Sequence, residues 1–150
     1  MKKILFVCHG NICRSPMAEA VMQYLLKENN LADQYTAESK ATTQDALGHG
    51  IDARAQRELV AKHIPYDRGH RASQMTRSDY DNYEYLICMD EETFADMNRI
   101  TGGDPEHKEH KILEFAGSYA DVDAPWYPND VERAYNEIYR GCEGLIKKLT

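Results

Sequence analysis

The stretch FVCHGNICRSPMAEA, from Phe6 to Ala20, joins a short apolar run to a helical pattern through a tight polar loop. The run from Lys3 to Val7 has the length and apolar continuity of a strand buried on both faces. Beyond the loop, apolar residues at 17, 18, 21, 22, 25 and 26 keep helical spacing from Pro16 to about Asn30. A buried strand that passes at once into an amphipathic helix is half of a βαβ unit, the crossover that parallel strands require. The rest of the chain repeats the alternation. Strands are expected at Tyr35–Ser39, Tyr85–Met89 and Lys111–Phe115, and helices at Ala53–His63, Glu91–Arg99 and Val131–Leu149. The expectation is one α/β domain over residues 1–150, a four-stranded parallel sheet with helices on both faces.

Ligands of such sheets bind beyond the carboxyl ends of the strands, where the loop from Cys8 to Ser15 leaves the first one. A helix beginning at Pro16 with Ser15 as N-cap would leave backbone N–H groups unpaired. Gly10 and Asn11 tolerate the backbone angles that turn further amides inward. Arg14 adds a planar fork of donors, so the loop reads as a cradle for a tetrahedral oxyanion held against the sulfur of Cys8. The same donors favour the thiolate, the nucleophilic form of cysteine. The plainer alternative makes Cys8 a buried strand end and Arg14 a surface charge. A metal site from Cys8, His9 and Cys13 lacks a second ligand cluster at suitable spacing.

The net charge of −7 means that an anion must be held by such a local device against the global field. No basic block marks a nucleic-acid or anionic-membrane surface. The apolar run after the amino-terminal lysines is too short for a secretory signal, and no run reaches the length of a membrane span. The cysteines at 8, 13, 88 and 142 are widely spaced, which fits reduced thiols in a cytoplasmic protein. A monomer is expected.

The string VCHGNICRSPMAEAV resembles the signature of the low-molecular-weight protein tyrosine phosphatases. HRASQ at 70–74, YEYLICMD at 83–90 and DVDAPWYPND at 121–130 follow in that family's order. The resemblance implies hydrolysis of phosphotyrosine in proteins, and of small aryl phosphates, through a phosphocysteine formed on Cys8. Arg14 and the loop from His9, Gly10, Asn11 and Ile12 to Cys13 would hold the phosphoryl oxygens, with no metal or cofactor. It further implies that Ser15 hydrogen-bonds the thiolate and that His70 is the histidine partner of Asn11. Trp126 and Tyr127 would line one wall of a phenyl slot. In the family a carboxylate just before the proline protonates the leaving group, but here Ala124 stands there. Asp123, one place earlier, is the expected acid, with Asp121 or no acid as alternatives. Lys40 and Asp45 replace the family's usual glycine and frequent aromatic. Ile12 points to phosphotyrosine, since phosphoarginine phosphatases of this scaffold tend to carry threonine. Cys88 and Cys142 read as core residues, not as the thiol relay of an arsenate reductase. Cys13 is either a reversible disulfide partner of Cys8 or a packed, inert thiol. A phosphate-binding regulatory module with weak turnover is the alternative function.

Overall fold

The structure is a computed structural model describing residues 1–125 and 128–150, with Pro128 and Asn129 described as helix backbone alone. The chain runs β1 (Lys2–Cys8), α1 (Arg14–Glu28), β2 (Tyr35–Ala41), α2 (Ala53–Ala61), α3 (Asp79–Asn82) and β3 (Tyr85–Cys88). It continues through α4 (Glu91–Thr101), β4 (Glu109–Lys111), a 3-10 turn (Ile112–Ala116) and α5 (Pro128–Leu149). The four strands are parallel, in the order β2-β1-β3-β4. The chain leaves β1 toward β2 on one side and later returns to place β3 on the other. A crevice therefore opens where the loops after β1 and β3 part, the place where such sheets bind ligands.

Side chains alternate across β1, and the alternation sorts the core into two layers. Ile4, Phe6 and Cys8 pack with α1, α2 and α5, whereas Leu5 and Val7 pack with α3 and α4. The apolar positions read from the sequence of α1 are all buried, as are 131, 134, 138, 142, 145 and 146 of α5. Fully burying an aliphatic or aromatic side chain contributes about 1.5–3 kcal/mol, so these two faces add substantially to the stabilisation that the buried strands supply.

Three expectations are corrected. The helix after the first loop starts at Arg14, with Cys13 at the cap position and no side chain capping it. Ser15 is thus inside the helix, its hydroxyl engaged elsewhere, and Pro16 occupies the third helical position, where its missing N–H still costs nothing. The expected strand Lys111–Phe115 is mostly the 3-10 turn, ended by Gly117 at φ 81°. Its buried Ile112 and Leu113 turn toward α5, not along the sheet edge. The true β4 is the charged run before it, with Glu109 buried against Thr101 and Asn98, and Lys111 against Asp121 and Glu91. The short helix α3 has no counterpart in the sequence reading. Among the described residues no helix is long and apolar enough to cross a membrane.

The 3-10 turn and α5 meet unusually closely. A Cβ on Gly144 would lie 1.9 Å from the Phe115 carbonyl oxygen, and one on Gly141 would lie 2.7 Å from Ile112 Cγ1. Two glycines inside a helix each cost about 1 kcal/mol, offset here by the backbone approach they permit.

Candidate active site

β1 delivers Cys8 to the crevice as its last paired residue, opposite Ala41. The carbonyls of the following loop are then drawn outward one by one. Cys8 O accepts from the Thr42 N–H (3.0 Å), His9 O from the Thr43 hydroxyl (2.9 Å) and Ile12 O from the Asp52 N–H (2.7 Å). Asn11 O accepts from His70 Nε2 at 2.9 Å, which fixes the tautomer with hydrogen on that nitrogen. Every peptide here is trans, so each carbonyl pulled outward leaves the N–H of the next residue facing the other way. The amides of His9, Gly10, Ile12 and Cys13, residues that line the cleft, are thereby left facing away from those partners. Asn11 supplies the reversal with φ 59°, a left-handed conformation that asparagine tolerates. Gly10 is not in that region, so its expected strain is absent; a Cβ there would meet Ala46 at an ordinary 3.7 Å.

Three donors or potential donors serve the sulfur and its surroundings. The Asn11 N–H points at Cys8 Sγ (3.3 Å), and Ser15 Oγ lies 3.1 Å from it. Asn11 Nδ2 donates to the same hydroxyl at 2.9 Å. Because Ser15 already accepts that bond, its own hydrogen is free to donate to sulfur, which favours the anionic form. Asn11 is fully buried and its Oδ1 accepts the Ser73 N–H at 3.2 Å. Ser15 is therefore worth more as a relay between Asn11 and Cys8 than as the helix cap expected of it.

Arg14 is only 6 % exposed. Its Nη1 donates to Asp90 Oδ2 (2.6 Å) and to the Val122 carbonyl (2.9 Å). Burial opposes the charge on Arg14, but the Cys8 sulfur and Asp90 outweigh it and raise its pKa further. Burial likewise opposes ionisation of Asp90, yet hydrogen bonds from Thr93 and Arg14 hold its carboxyl below the ordinary 3.8. Asp90 also caps α4 in a reciprocal box with Thr93. Asp90, the residue after the expected strand Tyr85–Met89, has no role assigned to it from the sequence. Its signal was positional: an acid at the carboxyl edge of the strand beside β1.

The cleft above the sulfur encloses about 260 Å³, near the lower end of small-ligand sites. Its lining includes Cys8, His9, Gly10, Ile12, Cys13 and Arg14 from the loop. Asp45 and Ala46 from the β2–α2 connection, Asp52 and Arg54 at the start of α2, and Ala124 and Pro125 complete it. At the lip His9 Nε2 meets Asp45 Oδ2 at 2.7 Å, with Glu92 3.9 Å from Nδ1. The aromatic wall expected of relatives is thus an imidazole–carboxylate pair. Lys40 does not reach the cleft; it pairs with buried Asp79 at 2.9 Å.

Asp123 is exposed, between Val122 and the cleft-lining Ala124. Asp121 is committed elsewhere, to Lys111 Nζ (2.7 Å) and the Glu91 N–H (3.1 Å). Trp126 and Tyr127 lie outside the described residues. Burial, with help from Asp52 and Cys8, pushes the Cys13 thiol up to about 12. Burial raises Cys88 and Cys142 as well, and they lie in the core layers on opposite faces of the sheet. Among the described residues, no group of three or more histidine, cysteine and acidic side chains is arranged to hold a metal ion.

Comparison with known proteins agrees with this geometry. Residues 3–150 match the model of the family described as low molecular weight phosphotyrosine protein phosphatase. The protein of that name from Sus scrofa is 36 % identical, over 99 % of this chain and 96 % of its own. The crystal structure of YfkJ from Bacillus subtilis superimposes with a TM-score of 0.93 at 32 % identity, covering 99 % of this chain and 94 % of that one. SP-PTP, a low molecular weight protein tyrosine phosphatase from Streptococcus pyogenes, gives 0.88 at 34 % identity, covering 100 % and 94 %.

Proposed function

Because the chain belongs to the low molecular weight phosphotyrosine protein phosphatase family, we propose that it hydrolyses phosphotyrosine in protein substrates, and small aryl phosphates, through a phosphocysteine on Cys8. The observation that carries this reading is the convergence on one sulfur of the Asn11 amide and the Ser15 hydroxyl, beneath a cradle closed by Arg14. The Cys8 thiolate attacks phosphorus in line. The bond to the tyrosyl oxygen breaks and that oxygen takes a proton from Asp123. Water then attacks the phosphocysteine, giving its proton back to the carboxylate and releasing thiolate and phosphate. Arg14 and the loop amides meet the charge on the equatorial oxygens throughout.

One feature supports an aryl over a guanidino phosphate: Ile12 on the cleft wall. The buried positions of Cys88 and Cys142 argue against a thiol relay. A second reading, phosphate capture with weak turnover, is favoured by one fact: Ala124 faces the cleft whereas Asp123 is exposed. Hydrolysis of p-nitrophenyl phosphate and of a phosphotyrosine peptide separates the two. The proposal expects turnover that Cys8→Ser abolishes, with Asp123→Ala slowing the peptide about 10²–10⁴-fold. Phosphate binding without steady turnover would establish the second reading instead. A large gain from Ala124→Asp, with no loss from Asp123→Ala, would remove Asp123 as the acid.

A further inference from the structure

We infer that Arg54 is a positioning residue for proton donation, a tie that holds the segment carrying Asp123 against the phosphate loop. This inference rests on the phosphatase reading above.

The segment 121–125 is fastened at two places. On the sheet side the Val122 N–H donates to Met89 O (2.8 Å), and Val122 O accepts from Arg14 (2.9 Å). On the far side Arg54 Nη1 donates to the Pro125 carbonyl at 2.9 Å. Asp123 and Ala124 are suspended between these anchors, one holding the phosphate-binding arginine and the other held by a second arginine.

Arg54 is itself fixed. Its Nε lies 3.1 Å from Asp52 Oδ1 and its Nη2 lies 3.4 Å from Oδ2, a fork that sets the plane of the guanidinium. The Arg54 N–H also donates to Asp52 Oδ1 (2.8 Å), so the residue that orients Arg54 is the N-cap of α2. The Asp52 N–H in turn donates to Ile12 O at 2.7 Å. One continuous path thus runs from the phosphate loop through Asp52 and Arg54 to Pro125. It registers the leaving-group side of the cleft against the phosphate side. A surface arginine with only a stabilising role would need no such path, nor would it line the cleft beside Cys13 and Pro125.

A proton donor must lie within hydrogen-bond reach of the departing oxygen, and a displacement of about 1 Å costs up to roughly 100-fold. Loosening the Pro125 anchor should therefore damage the step that needs the proton and spare the rest. Lysine at this position could keep one donor on the Pro125 carbonyl but not the fork on Asp52.

The test measures kcat/KM, which reports the steps through departure of the leaving group, on phenyl phosphate and on p-nitrophenyl phosphate. Wild type, Arg54→Lys, Arg54→Ala and Asp123→Ala are compared, with inhibition by inorganic phosphate and thermal melting alongside. Arg54→Ala should lose about 10–100-fold on phenyl phosphate. Its loss on the better leaving group should stay under about threefold, and phosphate inhibition should be unchanged. Arg54→Lys should recover part of the loss, and adding Arg54→Ala to Asp123→Ala should cost little more. Equal losses on both substrates, or a phosphate affinity that falls along with rate, would overturn the inference. If wild type turns over p-nitrophenyl phosphate and Cys8→Ser does not, the underlying reading stands and the Arg54 result bears on the inference alone.

Discussion

Replacing Ser15 by alanine removes the hydroxyl that sits 3.1 Å from Cys8 Sγ and accepts the Asn11 amide at 2.9 Å. Both side chains are buried, so water cannot take over either bond. A hydrogen bond to a charged group contributes about 1.5–3 kcal/mol. At about 1.4 kcal/mol per tenfold, losing it lowers the reactivity of the sulfur by roughly 10–100-fold. A second cost falls on stability. Asn11 Nδ2 is left buried without its acceptor, worth about 1–3 kcal/mol. The two effects separate experimentally. Iodoacetamide alkylation of Cys8, followed between pH 5 and 9 by peptide mass spectrometry, reads the sulfur; thermal melting reads the fold. The expected result is slower alkylation of Cys8 in the variant, with the rate on p-nitrophenyl phosphate falling in parallel. Superimposable profiles for wild type and Ser15→Ala, in protein shown to be folded, would refute the claim that this hydroxyl stabilises the anion.

Asp90→Ala should destabilise the protein by about 3–5 kcal/mol at neutral pH, because Arg14 is left as an unpaired buried cation. Since the Asp90 carboxyl is held below 3.8, its contribution is present above that pH and is lost as the pH falls through its native value. The gap in urea midpoints between wild type and variant should accordingly close in strong acid. Gly144→Ala should lower the melting temperature despite the better helix propensity of alanine, since its Cβ would fall 1.9 Å from the Phe115 carbonyl. A net loss of about 2 kcal/mol is expected, overpacking of 1–3 kcal/mol or more outweighing a gain of up to about 1. Brief alkylation at pH 8 should modify Cys8 while sparing Cys13, whose thiol is pushed up to about 12, and the buried Cys88 and Cys142. Peptide mapping checks that selectivity.

What the sequence revealed and what it concealed follow from distance along the chain. The loop from Cys8 to Arg14 was legible as one candidate site because its cysteine, its turn and its arginine lie within one short stretch between a strand and a helix. The packing faces of α1 and α5 were legible because apolar spacing survives in a row of letters. Asp90, Asp52, Arg54 and Ser73 were not. Each gains its role from the sheet order that sets β3 beside β1, and from the β2–α2 connection folding over the loop. β4 was misplaced toward the apolar run after Lys111, because no apolar pattern marks Glu109–Lys111, whose charges are buried by partners on α4 and near Asp121. The 3-10 turn that took its place depends on glycines at 141 and 144, a notch that no periodicity announces. For Ser15 the resemblance pointed to the sulfur, where its hydroxyl lies, whereas the local pattern pointed to a helix cap that Cys13 occupies instead.

Asp90 serves two masters, the first turn of α4 and the guanidinium of Arg14. Fraying at that helix end, a local opening far cheaper than melting the whole molecule, would let the guanidinium swing away and silence turnover in an otherwise intact chain. Inactivation on gentle warming should then run ahead of the loss of ellipticity. Inorganic phosphate, by gripping Arg14 from the other side, should hold the helix end shut and bring the two curves together.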